Sequence, residues 1–114
     1  MGSSGSSSFG DYKPSSKNRC EDSIDTDLED VARSQFYQQK KTLPAKDVGV
    51  RVVESPQNGR LVVEETKTGM AIGNLPTRFN YLVVCMKSGH KYEGTVTVSR
   101  TSKVPVLEVH LDPA

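Results

Sequence analysis

Two cysteines and two histidines are the side chains of this sequence best suited to chemistry: Cys20, Cys85, His90 and His110. A cysteine thiolate beside a histidine would act as a nucleophile, and the same two residue types are the usual protein ligands of zinc. Zinc sites draw their ligands from closely spaced pairs, however, and no such pair occurs here. The sequence therefore predicts no metal site, and nothing in it indicates a bound cofactor.

Cys85 and His90 lie close in sequence, in a segment for which we predict a hairpin with Ser88-Gly89 at its turn. In that register Cys85 pairs with Tyr92, so its thiol lies away from the turn, among apolar neighbours and without a cation that would stabilise a thiolate. The Glu64-Glu65 pair lies on a predicted strand, where adjacent side chains point to opposite faces and do not converge as an acid and a base. We therefore predict that the protein is not an enzyme.

The charge balance and the cysteines bear on the partners and on the compartment. Lys and Arg number 15 against 14 for Asp and Glu, so no overall field attracts nucleic acid or an anionic membrane. No apolar run is long enough to cross a membrane, so no membrane partner is predicted. A disulfide would have to tie Cys20, in a polar leader, to Cys85, in a predicted core strand. We expect both thiols to be free, which favours an intracellular location, in the nucleus or the cytoplasm.

The elements that position these residues are predicted to be mainly strands. Residues 81 to 86 are apolar at every position, which predicts a central strand covered on both faces. Beyond the turn, Tyr92, Val96 and Val98 alternate with polar side chains, which predicts a half-buried neighbouring strand. A buried strand that folds back into a half-buried one is expected to be the centre of a small antiparallel sheet.

Residues 48 to 67 predict a second hairpin, because Asn58-Gly59 accepts the positive φ values that a two-residue turn requires. With this turn Val52 faces Glu65, and one face of the hairpin is apolar throughout. That face carries Val50, Val52, Leu61 and Val63. Both strands agree on one register, as expected for a hairpin with one buried face.

Residues 25 to 43 are predicted to form an amphipathic helix, regular from about Asp27 to Lys41. Thr26 followed by Glu29 fits a capping box at its start. The apolar stripe of this helix consists of Leu28, Val31, Ala32 and Phe36. The stripe would either pack on the protein's own sheet or dock a protein partner, and the sequence alone leaves both alternatives open.

Residues 68 to 80 are interrupted by glycine and proline, so we predict a loop instead of a regular element. The segment is nevertheless rich in apolar side chains, which would tuck under the sheet edge or form a second surface for a protein partner. These side chains are Met70, Ile72, Leu75 and Phe79.

The last predicted strand runs from Val104 to Leu111. Pro105 cannot donate to a ladder, so we expect this strand to begin there or to lie at a sheet edge. An exposed edge would allow a partner to add a strand, and it would equally allow a homo-oligomer.

A rim of basic side chains near aromatic ones supports an alternative function, because single-stranded nucleic acid is bound by cations beside stacking platforms. The candidate residues are Tyr81, Lys87, His90, Lys91, Tyr92, Arg100 and Lys103. Ordinary solubilising turns beside a core would give the same pattern.

Residues 82 to 98, with Lys-Ser-Gly-His-Lys-Tyr-Glu-Gly-Thr-Val at their centre, resemble the first motif of the Sm-like proteins. In that family a strand and a glycine turn precede an aromatic-x-Gly that begins a strongly bent strand. A helix before a five-stranded sheet is similar too, and the resemblance implies a small barrel. The family's Asp-x-Met-Asn stretch and its second glycine-bearing motif are missing from this chain.

We therefore predict a mainly β protein with a disordered leader over residues 1–24, of which residues 1–10 resemble an expression tag. An amphipathic helix over residues 25–43 and a five-stranded antiparallel sheet or barrel over residues 44–114 follow. The predicted function is a non-catalytic intracellular interaction module, a scaffold-like piece of a larger regulatory or assembly protein that binds a protein partner. The alternative is a small Sm-like or OB-like barrel that binds single-stranded nucleic acid.

Overall fold

The structure is a computed structural model and describes residues 19–114. The prediction for residues 1–18 lies outside the described residues. Six antiparallel strands form one sheet, in the order β1-β6-β5-β2-β3-β4. They are β1 (Ile24–Asp27), β2 (Gly49–Val52), β3 (Val62–Glu65), β4 (Ala71–Asn74), β5 (Tyr92–Arg100) and β6 (Val106–Pro113). The mainly β, antiparallel architecture is confirmed, with six strands where five were predicted.

The sheet is curled into a half-barrel. Its two edge strands meet where Glu29, just after β1, forms an antiparallel bridge with Asn74 of β4. β5 pairs with both β2 and β6, and its register with β6 shifts between Val96 and Val98. A Cβ atom at Gly94 would lie only 1.7 Å from the carbonyl oxygen of His110, so the close approach of β5 and β6 requires glycine there.

Two short α-helices and two 3-10 helices complete the described residues: Val31–Arg33 (3-10), α1 (Gln35–Lys40), Thr77–Phe79 (3-10) and α2 (Leu82–Lys87). The inner face of the sheet and the buried sides of these helices form one hydrophobic core. Leu61, Ile72, Leu75 and Leu107 are among its fully buried side chains.

The predicted central strand over residues 81–86 is wrong, because this segment forms helix α2. Leu82, Cys85 and Met86 follow helical spacing and are buried, whereas Val84 points outward and is 68 % exposed. An uninterrupted apolar run has no periodicity, so it does not separate a strand from a helix with one buried side. The strand–turn–strand likeness to the Sm-like proteins depended on this prediction and is also wrong, although the neighbouring strand forms as β5.

The long helix predicted over residues 25–43 is wrong as well. Ile24, Thr26 and Leu28 are buried and alternate with exposed Asp25 and Asp27, which is the period of a strand. This alternation places the segment in β1 and its extension. Residues 19–24, which were predicted to belong to the disordered leader, are part of the described structure.

A helix does begin later in this segment, at Gln35. The hydroxyl oxygen of Ser34 caps it by accepting a hydrogen bond from the backbone N–H of Tyr37. Lys41, in the left-handed conformation with φ 59°, ends it. Only six residues are therefore α-helical where about fifteen were predicted.

The β2–β3 hairpin forms, but its register differs by two residues from the prediction. Asn58 and Gly59 adopt positive φ values, 54° and 75°, and make the expected turn. Val52, however, pairs with Val63 instead of Glu65. Residues 54 to 56 together oppose the single residue Leu61, so two residues bulge out beside the turn. Because the shift is even, the predicted apolar face remains the buried face.

The last two segments also differ from expectation. Residues 68–80 contain strand β4 and a 3-10 helix, where a loop was predicted. The final strand β6 lies inside the sheet between β1 and β5, so it offers no edge for strand addition or for a homo-oligomer. Pro105 lies just before β6 and is not part of the strand, whose residues pair with both neighbouring strands.

Candidate interaction surface

Most side chains predicted to bind a protein partner lie in the core. Leu28, Val31, Phe36, Ile72 and Leu75 are all buried, and Ile72 and Leu75 are completely inaccessible. The two others, Met70 and Phe79, are half-buried and pack against the same cluster. These segments were predicted either to pack on the protein's own sheet or to dock a partner, and in the structure they pack on the sheet. A partner would reach the buried side chains only if the core opened.

The residues predicted to bind nucleic acid divide into two groups. Five lie between the residue that precedes α2 and the start of β5: Tyr81, Lys87, His90, Lys91 and Tyr92. Arg100 is the last residue of β5, and Lys103 follows it. Eight residues of extended chain separate Arg100 from Tyr92, which corresponds to a distance of about 26 Å. Tyr92 is only 1 % exposed, so its ring is not available as a stacking platform. The predicted set therefore does not form one surface.

A groove lies where α2 faces the segment that precedes β1. We call this segment, Arg19 to Asp22, the strap. The groove has a volume of about 600 Å³, and its lining is more apolar than polar. It is lined by Arg19, Cys20 and Glu21 of the strap and by Tyr81, Val84, Cys85, Ser88 and His90. It combines an exposed valine, a tyrosine ring and basic side chains in one concave site.

A disulfide between Cys20 and Cys85 joins the strap to α2, so the prediction of two free thiols is wrong. The Cα atoms of the two cysteines are 5.5 Å apart, within the usual range for a disulfide, although 65 residues separate them in sequence. Helix α2 makes this contact, because its turn directs Cys85 toward the strap. The intracellular location remains a prediction, but free cysteines no longer support it.

Noncovalent contacts also hold the strap. The guanidinium carbon of Arg19 lies 3.7 Å from the centre of the Tyr81 ring, in a cation–π contact. The hydroxyl of Tyr92 donates a hydrogen bond of 2.6 Å to the backbone oxygen of Cys20. Burial is the main cause that raises the pKa of Tyr92 above its usual value, followed by the charges of Tyr81 and Asp22. The phenol therefore keeps its proton and remains a donor.

The floor of the groove is held in place from the β5 side. A ring nitrogen of His90, Nδ1, lies 3.2 Å from the backbone oxygen of Cys85, and the His90 ring stacks on Tyr92 with centroids 6.4 Å apart. Lys87 and Lys91 are both exposed and are next in sequence to lining residues Ser88 and His90, but they are not part of the lining, and Lys91 lines a separate pocket with Arg51 and Glu93. The lining itself includes the cation of Arg19 and the carboxylate of Glu21.

A second polar cluster joins β1 to β6 on the outer face of the sheet. His110 contacts Asp25 through Nδ1 at 2.8 Å and Asp112 through Nε2 at 3.1 Å. The hydroxyl of Ser23 donates to Asp112, not to the histidine, so the serine is not activated as a nucleophile. The arrangement fastens two strands, and it lacks the serine–histidine contact of a catalytic triad.

The pKa values of His110 and Asp112 shift in opposite directions. The hydrogen bond with Asp25 is the main cause that raises the pKa of His110, with the charges of Asp112 and Asp25 adding to it against desolvation. The hydrogen bond from Ser23 is the main cause that lowers the pKa of Asp112, and His110 adds to that effect. Both shifts favour an ion pair between the imidazolium and the carboxylates.

Over residues 19–114 no group of three or more histidine, cysteine or acidic side chains is placed to hold a metal ion. The same residues include no helix of the length and apolar character needed to cross a membrane.

The sequence analysis missed the strap and the groove. The helical spacing of Leu82, Cys85 and Met86 was the available signal, since it turns Val84 to the outside and Cys85 to the inside. Comparisons of this chain with models of protein families, with curated proteins and with solved structures find no match.

Proposed function

We propose that this protein is a non-catalytic binding module that docks a protein partner in the groove between the strap and α2. The observation that carries the proposal is Val84, which is 68 % exposed on a helix whose other apolar side chains are buried or, in the case of Val83, half-buried. Large exposed apolar side chains in a concave site are typical of interaction surfaces. The proposed partner acts inside a larger regulatory or assembly system, in agreement with the function predicted from sequence.

The charges around the groove define the kind of segment that fits. Arg19 lines it, and the exposed Lys87 lies on α2 next in sequence to the lining residue Ser88. An acidic peptide with one apolar side chain would bury that side chain against Val84 and place a carboxylate near Arg19. A volume of about 600 Å³ suits one or two such anchoring side chains instead of a whole helix.

Peptide selection and one charge substitution test this proposal. A displayed library of random linear peptides is panned against the protein, and an enriched peptide is synthesised with a fluorescent label. We expect acidic residues beside an aliphatic or aromatic one, and fluorescence anisotropy should show that Val84→Glu weakens binding by about tenfold or more. The reason is that the new carboxylate would be buried against the anchor and would repel the acidic flanks.

Val104→Glu is the matched control, because Val104 is similarly exposed, at 73 %, but lies outside the groove. It should leave the affinity for the peptide unchanged, and circular dichroism should show both variants to be folded. Equal affinity of the Val84→Glu variant and the unchanged protein would contradict the proposal. So would a panning experiment that enriches no peptide over the Val84→Glu variant.

Single-stranded nucleic acid is the second candidate, favoured by the nearness in sequence of Tyr81, Lys87, His90 and Lys91. We rank it lower, because Arg19 already covers one face of the Tyr81 ring. A labelled single-stranded oligonucleotide separates the two candidates. Nucleic-acid binding requires an affinity that falls steeply with salt, and Lys87→Gln together with Lys91→Gln should flatten that dependence.

A further inference from the structure

We infer that His90 is a specificity-determining residue of the groove, whose Nε2 atom accepts a hydrogen bond from a donor side chain of the partner segment that docks against Val84. The inference deepens the proposed function and rests on it. It adds one requirement to the partner, an uncharged N–H or O–H donor beside the apolar anchor. Serine, threonine, asparagine, glutamine and tryptophan carry such donors.

The backbone at the end of α2 determines which ring nitrogen of His90 carries the hydrogen. Nδ1 lies 3.2 Å from the carbonyl oxygen of Cys85, and a carbonyl oxygen accepts hydrogen bonds but never donates them. An Nδ1 atom without hydrogen would hold its lone pair against those of the carbonyl oxygen, so Nδ1 carries the hydrogen and donates. In a neutral imidazole with this tautomer, the other nitrogen, Nε2, is the acceptor.

Two further contacts hold the imidazole in this orientation. The backbone N–H of His90 donates to the same Cys85 oxygen at 3.1 Å, which fixes the backbone from which the ring projects. The ring also stacks on the buried Tyr92, with the two planes 18° from parallel. The acceptor is thus in place before a partner arrives, which lowers the entropic cost of binding.

The groove brings this acceptor together with the proposed anchoring site. His90 and Val84 both belong to its lining. Val84 offers apolar area, which has no directional preference, whereas a hydrogen bond does, so an acceptor in the same groove selects among apolar segments. A partner that covers Nε2 without a donor leaves a polar atom unsatisfied. That penalty discriminates against such a partner more strongly than the hydrogen bond itself attracts the correct one.

Other side chains in the lining accept hydrogen bonds as well, and they impose no such requirement. They are the Glu21 carboxylate and the hydroxyls of Tyr81 and Ser88. A hydroxyl donates as readily as it accepts, so it tolerates either kind of partner group. The Glu21 carboxylate repels the acidic segment that the proposed function requires. The His90 ring therefore differs from them as a fixed, uncharged acceptor.

Nuclear magnetic resonance of the full chain tests the tautomer in the free protein. A long-range correlation of the ring protons with the ring nitrogens is recorded at about pH 8, the upper end of the range in which histidine usually changes charge. We expect the pattern of an Nδ1–H tautomer for His90, and its signals are identified by their loss in His90→Phe. An Nε2–H tautomer would overturn the inference, because Nε2 would then be a donor.

Fluorescence anisotropy at the same pH tests recognition, with the labelled peptide selected by panning on the unchanged protein. We expect this peptide to carry one of the five donor side chains at a fixed distance from its apolar anchor. Replacing the donor by a residue of similar shape without one, such as threonine by valine, should weaken binding by about fivefold or more.

His90→Phe is the decisive variant, because phenylalanine keeps an aromatic ring beside Tyr92 and has no acceptor. It should bind the donor-bearing peptide about fivefold or more weakly, and it should no longer distinguish that peptide from the donor-free one. A purely structural role of His90 would weaken the binding of both peptides equally. Ser88→Ala is the matched control, since it alters the same lining and should leave the preference for the donor unchanged.

The outcomes separate this inference from the proposed function. A preference for the donor that persists in His90→Phe would overturn the role of His90, and so would selection of peptides that carry no donor side chain. In both cases a peptide still binds at Val84, and the proposed function stands. If panning enriches no peptide over the Val84→Glu variant, the proposed function fails, and recognition through His90 fails with it.

Discussion

The two ends of strand β1 are fastened to the rest of the molecule in different ways. Before β1, the contacts of the strap include the Cys20–Cys85 disulfide, the Tyr92 hydrogen bond and the cation–π contact of Arg19. After β1, Glu29 exchanges two backbone hydrogen bonds of 2.8 Å with Asn74, and the adjacent Leu28 is buried. The first attachment includes a covalent bond, whereas the second depends on backbone pairing and packing.

Side chains reinforce the second attachment. One guanidinium nitrogen of Arg60 donates both to the carboxylate of Glu29 and, at 3.1 Å, to the backbone oxygen of Leu75. Gly73 lies directly against Leu28 and the Glu29 backbone. This end of β1 is therefore integrated with the core, and it opens only when the core opens.

The difference shows how each end of β1 is joined to the rest of the fold. For a closed loop of 65 residues the chain-entropy model gives the disulfide a contribution of about 4 kcal/mol to the stability of the whole fold, through the unfolded state. The Glu29–Asn74 closure depends instead on backbone pairing and on the packing around Leu28.

The largest effect is expected at Gly94, in the strands on which both attachments depend. The Cβ atom of Gly94→Ala would lie 1.7 Å from the His110 oxygen and 2.9 Å from the Leu111 Cα, so β5 and β6 would have to separate. We expect a loss of more than about 4 kcal/mol, which leaves little or no folded protein. Chemical denaturation with circular dichroism measures it, and a variant that unfolds as the unchanged protein does would disprove the close approach of these strands.

A smaller loss of stability is expected at Gly73, which lies at the closure between the end of β1 and β4. The Cβ atom of Gly73→Ala would lie 3.0 Å from the Leu28 Cβ and 3.1 Å from the Glu29 oxygen, so the packed closure must shift slightly. Overpacking of this kind costs about 1–3 kcal/mol. The loss is read from urea denaturation of the oxidised protein.

The Gly73→Ala variant should nevertheless keep a rigid strap, because the two attachments lie at opposite ends of β1. Gly49→Ala is the matched control, since its added Cβ atom meets only ordinary contacts, 3.8 Å or more, with Thr66. Increased mobility of residues 19–22 in the Gly73→Ala variant would show that the two ends of β1 are coupled, contrary to the comparison.

What the sequence predicts correctly is local. The turn at Asn58-Gly59 depends on two adjacent residues, and the alternation that buries Tyr92 and Val96 in β5 depends on the spacing of near neighbours. The prediction for Val98 on the same face is wrong, because a register shift between Val96 and Val98 pairs Val98 with Glu108. The buried face of β2 and β3 survives a register error because side chains alternate with a period of two. These features belong to the chain itself and need no tertiary contact.

What the sequence does not predict depends on distant contacts. Residues 81–86 form a helix because its buried side chains join the core while Val84 stays outside, and the run of apolar letters does not contain that distinction. The disulfide and the groove require residue 20 to meet residue 85, which is possible only once that helix exists. One wrong element therefore removed the whole candidate site from the sequence-based prediction.

The smallest effect is expected at His110, which fastens the start of β1 next to the strap. Its raised pKa stabilises the fold fully below the ordinary value of 6.5, and this contribution is lost as the pH rises through the folded-state pKa. Asp112, with a lowered pKa, contributes above its ordinary value of 3.8, and this contribution is lost as the pH falls through its folded-state pKa. Both contributions are therefore present between these two values.

Thermal unfolding of the unchanged protein and of His110→Gln across this range tests the cluster. The difference in Tm between the two proteins should be largest between pH 3.8 and 6.5 and should shrink toward alkaline pH, where the imidazole is neutral in both states. The effect should be modest, because the groups are exposed, as are Asp27 and Thr95 on the neighbouring strands, and Glu108 on β6 itself is only half-buried. A difference in Tm that does not vary with pH would show that His110 fastens β1 through packing, and the start of this strand would then resemble its other end.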